Sequence, residues 1–331
     1  HVAAGYLRAG DRVTIEYRNW RFQTFCETGK QLRVLIDPFA TMDYAEVVDS
    51  PRFDVTPGPP ARLVAVAPSR VATGERFAIG VKLEDAWGNP CTQRRSTVKL
   101  QAHEPVAGLP KSVKLERGAA RIAGLCARQA GVIDLAASCG QLTAQANPIL
   151  VGHDHGDDDR RRLWCDLHGQ TGETVGTGTI DDYFRFARDV AFVDVAGHQG
   201  NDFQITDAFW RRLNQVTRRF TRAGRFIALP GYEWSGNTAV GGDRNVFHRR
   251  EGGPLYRSSH ALIDDHRDQR TDTPTADDLF RRLRGRDSLT IAHVGGRFAT
   301  MSRHSCRTSR AACVRTRASC QVPPSSSRPA R

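Results

Sequence analysis

The chain has 331 residues, enough for two domains that each bury a core. Hydrophobic content of 39% and charged content of 25% are ordinary for a soluble globular protein, and no run of 18 apolar residues occurs, which argues against a membrane-spanning helix. The net charge of +12 is unevenly placed: residues 1–150 carry 19 Lys+Arg against 14 Asp+Glu, residues 151–299 carry 22 of each, and residues 300–331 carry 7 and none. The part with chemical motifs is neutral, which disfavours a nucleic-acid partner for it.

The chain starts at His1 and reads as a fragment or processed piece. None of the eight cysteines forms a C-x-x-C pair, so a cysteine zinc site has little support, and cytoplasmic and exported locations both stay open, as does oligomeric state.

In chain order, Arg12–Tyr17, Leu32–Ile36, Arg62–Val66, Phe77–Leu83, Ser112–Leu115 and Val132–Ala136 are short, rich in Val, Ile and Leu, and partly alternating. Pro57-Gly58-Pro59-Pro60, Gly74, Gly88-Asn89-Pro90 and Gly118 punctuate them, which predicts a β-rich module over 1–56 and an all-β sandwich over 61–150. The segment Glu84-Asp85-Ala86-Trp87-Gly88-Asn89-Pro90 resembles the strand-and-turn signature of bacterial immunoglobulin-like modules, which implies a structural or carbohydrate-exposed spacer. Residues 151–162 read as a solvated linker; the bland reading of His153, Asp154, His155 and Asp157–Asp159 outweighs a metal site.

From residue 163 the period changes. Leu163–Leu167 is predicted as a strand. Asp181–Val190 is predicted as a helix capped by Thr179, with Tyr183, Phe184, Ala187 and Val190 on one face. Ala191–Val195 is a strand, Ile205–Phe220 a helix capped by Thr206 or Asp207, Phe226–Leu229 a strand, Thr275–Leu283 a helix starting near Thr273 or Thr275, and Leu289–Ala292 a strand. Strands alternating with helices predict parallel β/α units. From residue 299 the chain has no Asp or Glu, seven Arg, seven Ser and no apolar period; this predicts a disordered basic tail, read as the product of a reading-frame shift, with a native basic tail as the alternative. Resequencing the gene decides between them.

In β/α folds, functional groups collect where strands end. Here Asp166-Leu167-His168-Gly169-Gln170, Gly197-His198-Gln199, Gly231-Tyr232-Glu233-Trp234 and Ala292-His293 follow or end four predicted strands. Three imidazoles and a carboxylate at strand ends are a donor set for a divalent metal with an open position for water.

On Trp164–His168, the helix Asp181–Val190, Pro230–Trp234, Arg244-Asn245-Val246-Phe247 and Ile291-Ala292-His293, the segment 164–298 resembles the PHP (polymerase and histidinol phosphatase) superfamily, and more closely an uncharacterised bacterial branch of it. The resemblance implies an incomplete, distorted β/α barrel over 163–298 that binds divalent Zn, Mn or Fe ions and hydrolyses a small-molecule phosphoester with metal-activated water. By position, His168 matches the first histidine of an opening His-x-His pair, His198 the histidine of an Asp-His pair, Glu233 a bridging acid and His293 a later ligand. The departures are Gln170 for the second histidine, Gly197 for the aspartate, and Asp243 for a histidine near Arg244, with His248 the other candidate there; the closing Asp-x-His is absent. Asp166 is a candidate ligand or an orienting partner of His168. Glu173 is a candidate general base and Arg244 a candidate phosphate clamp, against default readings as a loop residue and a surface arginine. Tyr232 and Trp234 are expected in the core or a pocket wall, and His260 and His266 on the surface. Two functions compete: a metal-dependent hydrolase, and a non-catalytic binding protein on a degenerate scaffold, which Gln170 and Gly197 favour. Nucleic-acid binding through the arginine-rich tail is a weaker third.

Overall fold

The computed structural model describes residues 10, 12–19, 21–37, 41–93, 95–153, 162–236, 240–260, 262–263 and 269–293. The linker acids Asp154 and Asp157–Asp159, His155, His266 and the tail from 299 lie outside these residues. All described residues belong to one compact unit, residues 1–293. They are mostly β-sheet, with three α-helices of 8 to 14 residues. No helix among them is long and apolar enough to cross a membrane.

Near the N-terminus, β1 (Glu27–Gln31) pairs with β4 (Arg52–Val55), and β2 (Leu35–Ile36) with β3 (Ala45–Glu46), both antiparallel. The strand expected over Arg12–Tyr17 does not form: a strand needs a hydrogen-bonded neighbour, and Val13, Ile15 and Tyr17 stay 57–63% exposed.

The next ten strands are β5 (Arg62–Val66), β6 (Arg70–Ala72), β7 (Arg76–Glu84), β8 (Ser96–Ala102), β9 (Ser112–Leu115), β10 (Ala119–Cys126), β11 (Gly131–Ile133), β12 (Leu135–Cys139), β13 (Leu142–Gln145) and β14 (Ile149–Gly152). They form sheets of order β10-β7-β5, β13-β12-β8-β9 and β11-β14-β6 around one core. Strand β7 shows why: Phe77, Ile79, Val81 and Leu83 alternate inward and are all buried. The turn after it is tied by Asp85, whose carboxylate accepts from the backbone N–H groups of Gly58, Trp87 and Asn89 and from the Asn89 amide. Burial pushes Asp85 up, but these bonds outweigh it and hold the carboxyl at about 2.

The second module runs β15 (Cys165–Gly169), α1 (Ile180–Asp189), β16 (Val195–His198), α2 (Asp207–Phe220), β17 (Ile227–Leu229), β18 (Gly231–Trp234), β19 (Arg244–His248), α3 (Ala276–Leu283) and β20 (Ser288–Ala292). The helices start where the sequence predicts: Thr179, Thr206 and Thr275 each accept from the N–H three residues on. Strands β15, β16 and β17 are parallel, and α1 and α2 bury Phe184, Leu213, Val216 and Phe220 in the core beside them. From Pro230 the parallel pattern ends: β18, β19 and β20 are antiparallel. The described residues therefore form a three-stranded β/α piece and an antiparallel sheet, not a closed barrel. The two sheets are stitched where Glu233 N–H donates to the Gly200 carbonyl and Asp202 N–H to that of Glu233.

The strand expected over Ala191–Val195 starts only at Val195. Ala191 and Val193 N–H instead close the end of α1, and Phe192 takes φ +58°, the left-handed region usually left to glycine.

Candidate metal centre

Alternation along the antiparallel sheet builds the site. Gly231 and Glu233 of β18, Asn245 and Phe247 of β19 and Ile291 of β20 share one face, and Asp243 and His293 continue those rows just past the strand ends. Tyr232, Trp234, Val246 and His248 fall on the opposite face.

On the first face, one ligand atom each from Glu233, Asp243 and His293 lies within 4.8 Å of the other two. His168 joins from the end of β15: its Nε2 is 3.6 Å from Glu233 Oε2, and its ring stacks on that of His293 with centroids 4.3 Å apart. His293 Nδ1 is 3.4 Å from Glu233 Oε1 and is buried with no hydrogen-bond partner among the described residues. Gln170 Nε2 donates to Glu233 Oε2 at 3.4 Å, and Gln170 Oε1 accepts from the Thr174 hydroxyl.

The electrostatics follow from burial. Glu233 is 5% exposed, and burial, reinforced by the carboxylates of Asp243 and Asp202, pushes it up to about 7. Burial and then His168 lower the pKa of His293, partly offset by Asp243. His168 Nδ1 sits 3.0 Å from the Asn245 side-chain oxygen. Donation there directs the Nε2 lone pair at the cluster, the way ligating imidazoles are commonly oriented. The two carboxylates and the imidazole of His293, with His168 beside Glu233, are donor types that suit Zn, Mn or Fe.

The remaining sequence candidates lie elsewhere. His198, read as a ligand, is fully buried between Tyr183 and Phe209. Its Nδ1 accepts from Gly200 N–H, so Nε2 carries the proton and donates to Thr171 Oγ1 at 3.0 Å. Both nitrogens are therefore engaged within the protein. Burial, and secondarily His168, lower its pKa to about 3. The Thr171 hydroxyl in turn donates to Glu173 Oε2 at 2.6 Å, which fixes that exposed carboxylate on the loop after β15. Asp166 accepts from the His168 backbone N–H and from the Tyr183 hydroxyl, not from the His168 ring, so it ties the backbone of β15 rather than orienting the imidazole. His248 is on the wrong face, with its nitrogens on Ser288 and the Pro254 carbonyl. Arg244 reaches back to the Asp243 carbonyl and lies 6.0 Å over the Phe280 ring. His260 pairs with Asp272 at 2.8 Å.

Asn245 is the residue whose role the sequence reading missed; its register opposite Glu233 was the only signal, and it requires knowing that β18 and β19 pair. The structure also explains Gly197. A Cβ there would lie 2.8 Å from Phe247 Cε1, so an aspartate requires the Phe247 ring to move.

No family model matches the chain. An uncharacterised protein of Chlamydia pneumoniae is 24% identical over 236 residues, 69% of this chain and 37% of that protein. An uncharacterised protein of Chlamydia trachomatis serovar D is 23% identical with the same shares covered. The chain thus spans 37% of the length of these curated relatives. Among solved structures, a glycosyl hydrolase family 2 member from Bacteroides cellulosilyticus has 16% identity and a TM-score of 0.27, over 32% of this chain and 16% of that one. The D0–D1 domain of intimin has 12% identity and a TM-score of 0.24, over 35% of this chain and 58% of that one. Likenesses at this level carry no argument about function.

Proposed function

We propose that residues 163–298 are part of a PHP-like metal-dependent hydrolase acting on a phosphoester, preceded by an immunoglobulin-like sandwich. One observation carries this reading: ligand atoms of Glu233, Asp243 and His293 lie within 4.8 Å of one another, with His168 Nε2 3.6 Å from Glu233 and its ring stacked on His293. The buried carboxyl of Glu233, raised beside Asp243, is the kind of group a divalent cation returns to its charged form.

His168, Glu233, Asp243 and His293 would hold the ion. When bound, it supplies Lewis acidity, acidifying water and offsetting charge on a phosphoryl oxygen. Asn245 sets the ring of His168, and Gln170 orients Glu233. Glu173, the candidate general base, is held by the Thr171–His198 chain on the loop after β15. Arg244, on the His248 face of β19 and over the Phe280 ring, stands outside the cluster.

Titration with Zn²⁺ or Mn²⁺ tests the reading, with hydrolysis of p-nitrophenyl phosphate as the activity. One ion bound with micromolar or better affinity, and metal-dependent hydrolysis, are expected. Protein that purifies without metal and binds neither ion overturns it. A second reading, a non-catalytic binding protein on a degenerate scaffold, is favoured by the closed space at Gly197 and the engaged nitrogens of His198. It predicts metal binding at most, with no phosphatase activity.

A further inference from the structure

The sandwich and the β/α module meet at a seat made for one side chain. Gly80 on β7 is buried, and a Cβ there would lie 2.3 Å from both Cγ and Cδ2 of Phe192. The Phe192 ring therefore rests on bare backbone, and only glycine at position 80 admits it. Phe192 itself holds φ +58°, a conformation an aromatic residue rarely takes without a compensating contact. A glycine would close the helix end more easily. The ring on Gly80 is what phenylalanine adds there.

Neighbouring contacts run the same way. Trp164 Nε1 donates to Ser69 Oγ of the sandwich at 3.1 Å. The Trp164 backbone N–H donates to Asp194 Oδ2, and Asp194 N–H returns to the Trp164 carbonyl at 2.8 Å. Arg121 on β10 is desolvated and feels Arg225, Asp194 and Asp189 of the second module. Trp164 immediately precedes β15, and Phe192 lies three residues before β16. The junction thus grips the starts of the two parallel strands, and His168 projects from the far end of β15.

We propose that the sandwich and the β/α module are one cooperative folding unit pinned by Phe192 on Gly80, and that this pin positions β15 and hence His168. The first half stands on the contacts alone; the second rests on the metal reading above. The sandwich is then a fixed part of the site's scaffold, not a detachable spacer.

Differential scanning calorimetry of the 331-residue chain in EDTA tests the first half. The wild-type protein is expected to unfold in a single transition. Phe192→Gly, whose backbone takes positive φ freely, and Gly80→Val, which fills the seat from the other side, should each split it into two. Phe192→Tyr keeps the ring and should restore one. Two transitions in the wild-type protein, or one in both seat variants, overturn the pin. Zn²⁺ titration tests the second half: Phe192→Gly should weaken affinity at least ten-fold and Phe192→Tyr should recover it. Wild-type protein that binds no Zn²⁺ overturns the metal reading and this second half, while the calorimetry still decides the first. Wild-type affinity in Phe192→Gly overturns the positioning role alone.

Discussion

Acidification should destabilise the protein through His198, by an amount the structure sets. The imidazole is fully buried and neutral, its protonation opposed first by desolvation and then by His168, which lowers its pKa from 6.5 to about 3. A folded pKa below the unfolded one means that the unfolded chain binds the proton more readily. The stability is therefore present above pH 6.5 and is lost as pH falls towards 3. At about 1.4 kcal/mol per pH unit, the step from pH 7 to pH 5 costs about 2 kcal/mol. The assay is urea unfolding at pH 7, 6 and 5 in EDTA, comparing wild-type protein with His198→Gln. Other buried histidines, such as His248, contribute to both slopes and cancel in the difference. The variant should be the less stable at pH 7, with the gap narrowing by about 2 kcal/mol at pH 5. A gap that stays constant across that range refutes the neutral, buried His198 and the hydrogen-bond directions drawn from it.

Asn245→Leu leaves the His168 Nδ1–H without its acceptor and should weaken Zn²⁺ binding by about 10–100-fold, read by calorimetric titration; unchanged affinity removes Asn245 from the site. Gly197→Asp, which restores the residue the family resemblance implies, should cost about 1–3 kcal/mol in urea unfolding because its Cβ meets Phe247, and Phe247→Ala in the same chain should recover part of that loss. A stable Gly197→Asp single variant contradicts the packing. Thr206→Ala removes the acceptor of Phe209 N–H at the start of α2 and should cost about 1 kcal/mol, measured by the same unfolding curves.

Much of the site's chemistry was legible as residue types but not as partners. His168, Glu233, Asp243 and His293 are singled out by sequence, and the structure brings these four together. His198 carries the same strand-end signature and lies elsewhere, because a strand's period of two sends it to the opposite side from Gly197, against Tyr183 and Phe209. His248 differs from Asn245 by three positions, and that odd offset alone puts it on the other face of β19. Strands β18 and β19 escaped the sequence reading because Gly231–Trp234 is buried throughout and Arg244–His248 nearly so, which erases the alternation that marks a half-exposed strand.

The sequence by itself determined what depends on neighbours a few residues away. The threonine caps of α1, α2 and α3, the amphipathic faces of those helices and the alternating core of β7 are set by side chains meeting the backbone within one turn or along one strand. Tertiary structure decided everything that needs a distant partner. It turned the chain antiparallel after Pro230, left Arg12–Tyr17 without a strand, seated Phe192 on Gly80 and sorted cluster histidines from buried ones. The physical reason is that hydrogen-bond pairing and side-chain burial between segments far apart in sequence leave no local periodicity to read.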